Sequence, residues 1–171
     1  MYDLVKLVWE PVPPAVMGDG PEREHLQNRI GELGLEDQVL LLGNIPNDQI
    51  KYYCKACDLF LFASKSETQG IVLLEAMAAQ VPVIAVKASG VVDVVKNARN
   101  GYMVSENREE MADKICRALE NPVLYDQLSR GAQETAWEYL NTNIARRAEA
   151  GYQDAIACNM RRGYRHAMAN D

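Results

Sequence analysis

Glu67 and Glu75 are the acids whose surroundings suggest chemistry. Glu67 lies in the polar stretch Ser66-Glu-Thr-Gln-Gly70, whereas Glu75 is flanked by Ile71, Val72, Leu73, Leu74, Ala76, Met77, Ala78 and Ala79. A carboxylate in that company is expected to be largely desolvated, at a cost of roughly several kcal/mol unless it is paired. It therefore needs hydrogen-bond donors. One turn into a helix that starts at Gly70, Glu75 could face the same crevice as Glu67, where a hydroxyl-rich ligand would supply them. The helix start at Gly70 to Val72 adds N–H groups that favour a phosphate. Two carboxylates for diols beside an anion-binding helix end describe a nucleotide-sugar site. A plainer arrangement fits the spacing equally well: Glu67 as an ordinary loop acid, and Glu75 paired with a core lysine or a capping amide.

The elements around these acids follow from the flanking pattern. Asp58-Leu-Phe-Leu-Phe-Ala63 is short, aromatic and branched, which predicts a fully buried strand of a parallel sheet. Ile71 to Ala79 fits a helix, closed by Gln80-Val-Pro82, and a second strand runs to Val86. In this β-loop-α-β unit, Lys65 to Gly70 sits at the carboxyl end of a strand, where open α/β sheets bind ligands.

The rest of the chain repeats the alternation. Met1 to Glu10 is read as a short helix, and Pro11, Pro13 and Pro14 as an extended connector. Ala15-Val-Met17 is a strand stub, Gly18-Asp-Gly20 a tight turn, and Pro21 to Leu33 an amphipathic helix stopped by Gly34. Gln38 to Leu42 reads as a buried strand, and Asn47 to Cys57 as a helix capped by Asn47. After Val86 come a loop at Lys87 to Gly90, a short helix from Val91 to Asn97, and a closing strand from Gly101 to Val104. Asp93 either favours the dipole of that short helix or meets a ligand. Helices are expected over Asn107 to Glu120, over Val123 to Leu140 with Leu124, Leu128, Ala132 and Trp137 inward, and within Asn141 to Asp171.

Composition narrows the class. About half of the 171 residues are apolar, enough for one globular domain with a real core. A net charge of -6 with both signs interspersed argues against a nucleic-acid binder, which usually shows a basic face. Arg146 to Arg165 is locally basic and could meet acidic lipid at a membrane periphery or an acidic partner. No apolar run approaches the ~20 residues that span a bilayer, and Met1 to Met17 lacks the pattern of a signal peptide. Cys54-Lys-Ala-Cys57 has redox or metal spacing, but no second such pair accompanies it among Cys116 and Cys158. Reduced, structural thiols and a cytoplasmic setting are expected, with no metal.

Read together, these segments resemble a known family. Glu67 and Glu75, separated by seven residues with Gly70 between them, resemble the E-x7-E signature of retaining glycosyltransferases of the GT-B fold, family 4. Gly18-Asp-Gly-Pro21 is similar to the family's GDGP turn, Leu42-Gly-Asn-Ile-Pro46 to its G-x-(hydrophobic)-P turn, Ala88 to Asp93 to its GG-x-x-E loop, and Asn100 to Val104 to its NG strand. These pieces follow the family's order over about residues 14 to 140, and Ser66 to Gly70 looks most like diacylglycerol glucosyltransferases.

The resemblance implies an α/β fold: a Rossmann-like parallel sheet with helices on both faces, the C-terminal, donor-binding half of such an enzyme. It implies that Glu67 holds donor-sugar hydroxyls at the catalytic centre and Glu75 the ribose diol. Thr68, Gln69, Gly70 and Ile71 would face the sugar and diphosphate, while Gly18, Asp19, Gly20, Asn44, Ile45 and Pro46 would line the nucleotide pocket. The donor is a nucleotide diphosphate sugar, with no further cofactor. The family's Gly-Arg strand end and following Lys, which grip the diphosphate, have no counterpart in Met1 to Met17. A nucleotide-sugar epimerase-like enzyme and a non-catalytic nucleotide-binding module stay open as alternatives.

The same comparison implies a single domain over 1–171 whose first strand and helix are missing or truncated. Its last segment, 141–171, would be a helix that crosses back to an N-terminal acceptor domain. Loss of a strand from the middle of a sheet leaves unpaired edges that template pairing with another chain. The expected partner is that acceptor domain, a companion chain or a second copy. Light scattering on the purified chain is expected to show association; a compact monomer at all concentrations would remove this expectation.

Overall fold

The computed structural model describes residues 14–66 and 68–168; the helix expected over Met1 to Glu10 lies outside them. Strands and helices alternate in the order β1 (Ala15–Met17), α1 (Arg23–Leu33), β2 (Leu40–Gly43), α2 (Asn47–Lys55), β3 (Phe60–Phe62), α3 (Ile71–Ala78), β4 (Val83–Val86), α4 (Ser89–Val94) and β5 (Gly101–Val104). Three helices follow: α5 (Arg108–Leu119), α6 (Pro122–Glu138) and α7 (Asn141–Met168). The chain divides into two compact units, Met1–Thr135 and Ala136–Asp171.

Every strand pairing is parallel. Among the described residues the strands form two separate ladders, β1-β2 and β3-β4-β5, so β1 and β3 each pair with a single strand. Two strands are less buried than expected. Leu61 of β3 is 43% exposed and Leu40 of β2 is 45% exposed, so neither strand is fully buried. Strand β4 has neighbours on both sides, and all of its residues are buried. Its Ile84 and Val86 pack with Met111, Ala112 and Ile115 of α5. Val83 and Ala85 alternate to the opposite face, and α3 packs against β3 and β4.

Several boundaries move from their expected places. Asn47 is the first helical residue of α2 rather than its cap, and Pro46 occupies the cap position without a side-chain bond. Helix α1 starts at Arg23, after a turn that includes Pro21. Helix α4 is Ser89–Val94 and ends before Asn97. By contrast Gly34 closes α1 in the left-handed region, and Asn107 caps α5 by accepting from the Glu110 amide at 2.7 Å. Trp137, expected inward, is 63% exposed. On α7, Ile144, Tyr152 and Ile156 are exposed as well.

A buried polar bond set fixes the turn before β5. Asn100 has no exposed surface; its Nδ2 donates to the Val94 carbonyl at 3.0 Å and to Thr135 Oγ1 at 2.8 Å, while its Oδ1 accepts from the Lys96 amide at 2.8 Å. Thr135 Oγ1 in turn donates to the Gly131 carbonyl at 2.8 Å. Asn100→Ala strands several buried groups at once, for which about 2–4 kcal/mol of destabilisation is expected. Urea titration followed by circular dichroism checks this, with the midpoint falling and the slope unchanged.

The four thiols are free. Burial, then the neighbouring Cys57 and then the charge of Glu75, push the Cys54 thiol up; burial and then Asp58 push Cys57 up. Raised values keep both as neutral thiols at pH 8, whereas the reactive species is the thiolate. Cys158 is exposed. Iodoacetamide at pH 8 is expected to label Cys158 first, with Cys54 and Cys57 slower by on the order of tenfold or more. Raising the pH should speed those two, as mass spectrometry of quenched samples can follow.

Candidate functional site

The parallel pairing of β1 and β2 brings two of the expected turns together. The Gly18 amide donates to the Gly43 carbonyl at 2.8 Å, which ties the turn of Gly18, Asp19 and Gly20 to the residue preceding Asn44, Ile45 and Pro46. Gly18 (φ 120°) and Gly43 (φ 68°) both occupy backbone conformations that side chains disfavour, so both turns depend on glycine. Asp19 folds back, its Oδ1 accepting from the Gly20 amide at 2.9 Å. A cleft of about 310 Å³ opens here, lined by Met17, Gly18, Asp19, Gly20, Arg23 and Leu26 among others, and by none of residues 68–75. Arg23 was absent from the expected site. Its Nη1 lies 3.3 Å from where a Cβ on Gly43 would stand, which sets a cation between the two turns. The signal was in plain view: a cation just after a glycine turn, at the start of a helix.

The second group of expected residues gathers where β3 passes into α3. Glu67 lies outside the described residues. Thr68 and Gln69 are exposed, while Gly70 is buried and starts α3 from the left-handed region at φ 69°. Glycine has no side chain with which to cap the helix; the Gly70 carbonyl accepts from the Leu73 and Leu74 amides at 3.1 Å, and the amides of Ile71 and Val72 stand at the helix start. On the sequence-distant side, Gly90 of α4 presses against this loop. Lys65, at the carboxyl end of β3, pairs with Glu106, and both side chains are exposed.

Glu75 is exposed, contrary to the expectation of a desolvated carboxylate. Helix α3 turns Leu73, Ala76 and Met77 into the core, and Ile71, Glu75 and Ala78 share the outward face at spacings of four and three. Ile71 itself is 55% exposed. The aliphatic neighbours in sequence were therefore not all neighbours in the core. Among the described residues no lysine or arginine forms an ion pair with Glu75.

A larger cavity, about 490 Å³, lies elsewhere, lined by Asn97, Arg99, Val123, Gln127, Arg130 and Glu134 among others. It borders the amino end of β5, opposite to the strand ends where parallel sheets hold ligands. Its polar groups also satisfy each other: Arg99 pairs with Glu134 at 3.7 Å, and Gln127 donates to the Ala98 carbonyl at 3.2 Å. On position and chemistry, the glycine turns and the start of α3 are the better site.

Comparison with known proteins bears on this arrangement. Residues 4–135 match the family model of the glycosyl transferases group 1. The chain is 32% identical over 145 residues to the alpha-monoglucosyldiacylglycerol synthase of Acholeplasma laidlawii, covering 84% of this chain and 36% of that protein. It is 31% identical over 143 residues to the N-acetyl-alpha-D-glucosaminyl L-malate synthase of Bacillus anthracis, covering 82% and 37%. The chain thus spans little more than a third of the length of these relatives. Among solved structures, Anabaena HepE in complex with UDP and glucose superposes with a TM-score of 0.78 at 27% identity, over 90% of this chain and 43% of that one. The C-terminal domain of LpcC from Francisella tularensis gives 0.72 at 25% identity, over 81% and 75%. With parallel strands flanked by helices, and with both sequence and structure matching this one part of longer enzymes, the chain belongs to the group 1 glycosyl transferases and has the fold of the C-terminal half of a GT-B enzyme.

Proposed function

We propose that this chain is the donor-binding half of a retaining glycosyltransferase that takes a hexose from a nucleoside diphosphate sugar. The observation that carries the reading is the start of α3, where a left-handed glycine opens the helix at the amides of Ile71 and Val72 and Glu75 stands exposed one turn on. In this reading the amides of residues 69–71 meet the diphosphate and sugar, Glu75 accepts from the ribose diol, and Glu67 holds the donor-sugar hydroxyls. Thr68 flanks the sugar. The turns of Gly18, Asp19 and Gly20 and of Asn44, Ile45 and Pro46 border the nucleotide, with Arg23 as their cation. Both glutamates then work by positioning and by stabilising positive charge that develops at the anomeric carbon. That HepE was solved with UDP and glucose supports the ligand class.

Sugar transfer requires an acceptor surface, which we assign to an N-terminal domain or companion chain. The exposed apolar residues of α7 fit cover by such a surface or by a second copy of the chain. The free thiols fit a cytoplasmic setting, and the basic residues of 146–165 fit peripheral contact with acidic lipid.

Calorimetry with UDP, GDP, ADP and their glucose esters is expected to find one nucleotide that binds. Glu75→Ala should weaken that nucleotide about three- to tenfold, the effect of losing hydrogen bonds worth about 0.5–1.5 kcal/mol at an exposed group. The 2′-deoxy nucleotide separates this role from a general loss of structure: the variant should no longer distinguish it from the ribose form. Unchanged affinity for both forms would remove Glu75 from the site.

A further inference from the structure

The donor loop and the loop after β4 meet backbone to backbone. A Cβ built on Gly90 would stand 2.7 Å from the Gln69 amide nitrogen, 2.7 Å from the Thr68 carbonyl carbon and 3.0 Å from the Gly70 nitrogen. The reverse holds too: a Cβ on Gly70 would meet the Gly90 carbonyl oxygen at 2.8 Å and Val94 Cγ2 at 2.9 Å. Gly70 needs glycine for its left-handed conformation as well as for space. Gly90 does not. It lies inside α4 without a positive φ, where alanine is the better helix former by about 1 kcal/mol. Only the closeness of residues 68–70 explains a glycine there, and both glycines are buried.

We infer that Gly90 is a positioning residue for donor binding: by letting α4 approach to backbone contact, it sets where the amides of residues 68–71 stand. This rests on the donor-site reading above and adds a residue from a different strand-loop unit. The contact is made to main-chain atoms, so the loop cannot yield by a side-chain rotation. Any Cβ at position 90 must displace the backbone that faces the diphosphate and sugar. The base, assigned to the turns after β1 and β2, and the ribose diol, assigned to Glu75, lie outside this contact. An effect that grows from nucleoside monophosphate to diphosphate to diphosphate sugar is therefore the signature of the role.

The test is Gly90→Ala in the full chain, titrated by calorimetry with UMP, UDP and UDP-glucose, or the corresponding series for whichever base the wild type prefers. The expected result is at least tenfold weaker binding of the diphosphate sugar, with the monophosphate within twofold of wild type. Hydrogen exchange should quicken in the peptide that covers 68–72 and stay unchanged in β4 and β5. Val94→Ala, which removes both γ-methyl groups, among them the one nearest Gly70, and leaves both backbones intact, is the second variant should Gly90→Ala fail to fold. A loss of threefold or more, confined to diphosphate ligands, is expected from it. Equal weakening of all ligands, or unchanged exchange over 68–72, overturns the inference while leaving the donor site standing. Failure of the wild type to bind any nucleotide in the series overturns the donor-site reading and this inference together.

Discussion

Close backbone approach around β4 is the constraint on which the rest of this structure depends. Strand β4 is hydrogen-bonded on both sides and buried at every residue, and its neighbour β5 begins at a point where no side chain fits. A Cβ on Gly101 would lie 1.9 Å from the Val83 carbonyl oxygen. The same rule governs the helix behind it, where a Cβ on Gly131 would lie 1.9 Å from the Arg99 carbonyl oxygen. These contacts hold the amino end of β5 rigidly, with Asn100 satisfying the main-chain groups of the turn between them. At the other end of the same strands, the Gly70 and Gly90 loops are drawn together in turn. Glycine-permitted backbone contacts thus occur at both ends of these strands.

Much of this was legible from residue order. Alternating branched and polar runs located each described strand and helix to within a few residues, because a βαβ chain changes its hydrophobic period at every boundary. Gly34 and Asn107 marked helix ends through local chemistry alone, a left-handed stop and a side-chain acceptor. Burial was less legible. Phe60, Leu61 and Phe62 have the composition of a central strand, but composition carries no record of how far the fold covers each face of a strand. Trp137 fits an inward stripe by spacing, yet it stands exposed where α6 runs on past Thr135.

Glu75 is the instructive case for the site. Its sequence neighbours made desolvation the first expectation, and desolvation was the reason to expect a ligand or a partner. In the folded chain a helix of eight residues has room for only one inward face, taken by Leu73, Ala76 and Met77. Ile71 and Ala78 are apolar but outward, so the carboxylate between them stays in water. Glu75 keeps its position one turn into α3 but stands in water, so desolvation does not call for a ligand there.

Magnitudes set a division of labour among the groups of the proposed donor site. An exposed carboxylate exchanges hydrogen bonds with water for hydrogen bonds with a diol, a nearly balanced exchange that contributes only about 0.5–1.5 kcal/mol. Such a group selects ribose over deoxyribose more than it holds the ligand. The larger share of affinity for a doubly charged diphosphate belongs to groups already fixed before the ligand arrives, since rigid donors lose little entropy on binding. In the proposed donor site those are main-chain amides at the start of α3, where contacts leave no room for a Cβ at positions 70 and 90. On that proposal, recognition of charge rests on backbone geometry, and the acidic side chains refine which sugar and which pentose the geometry accepts.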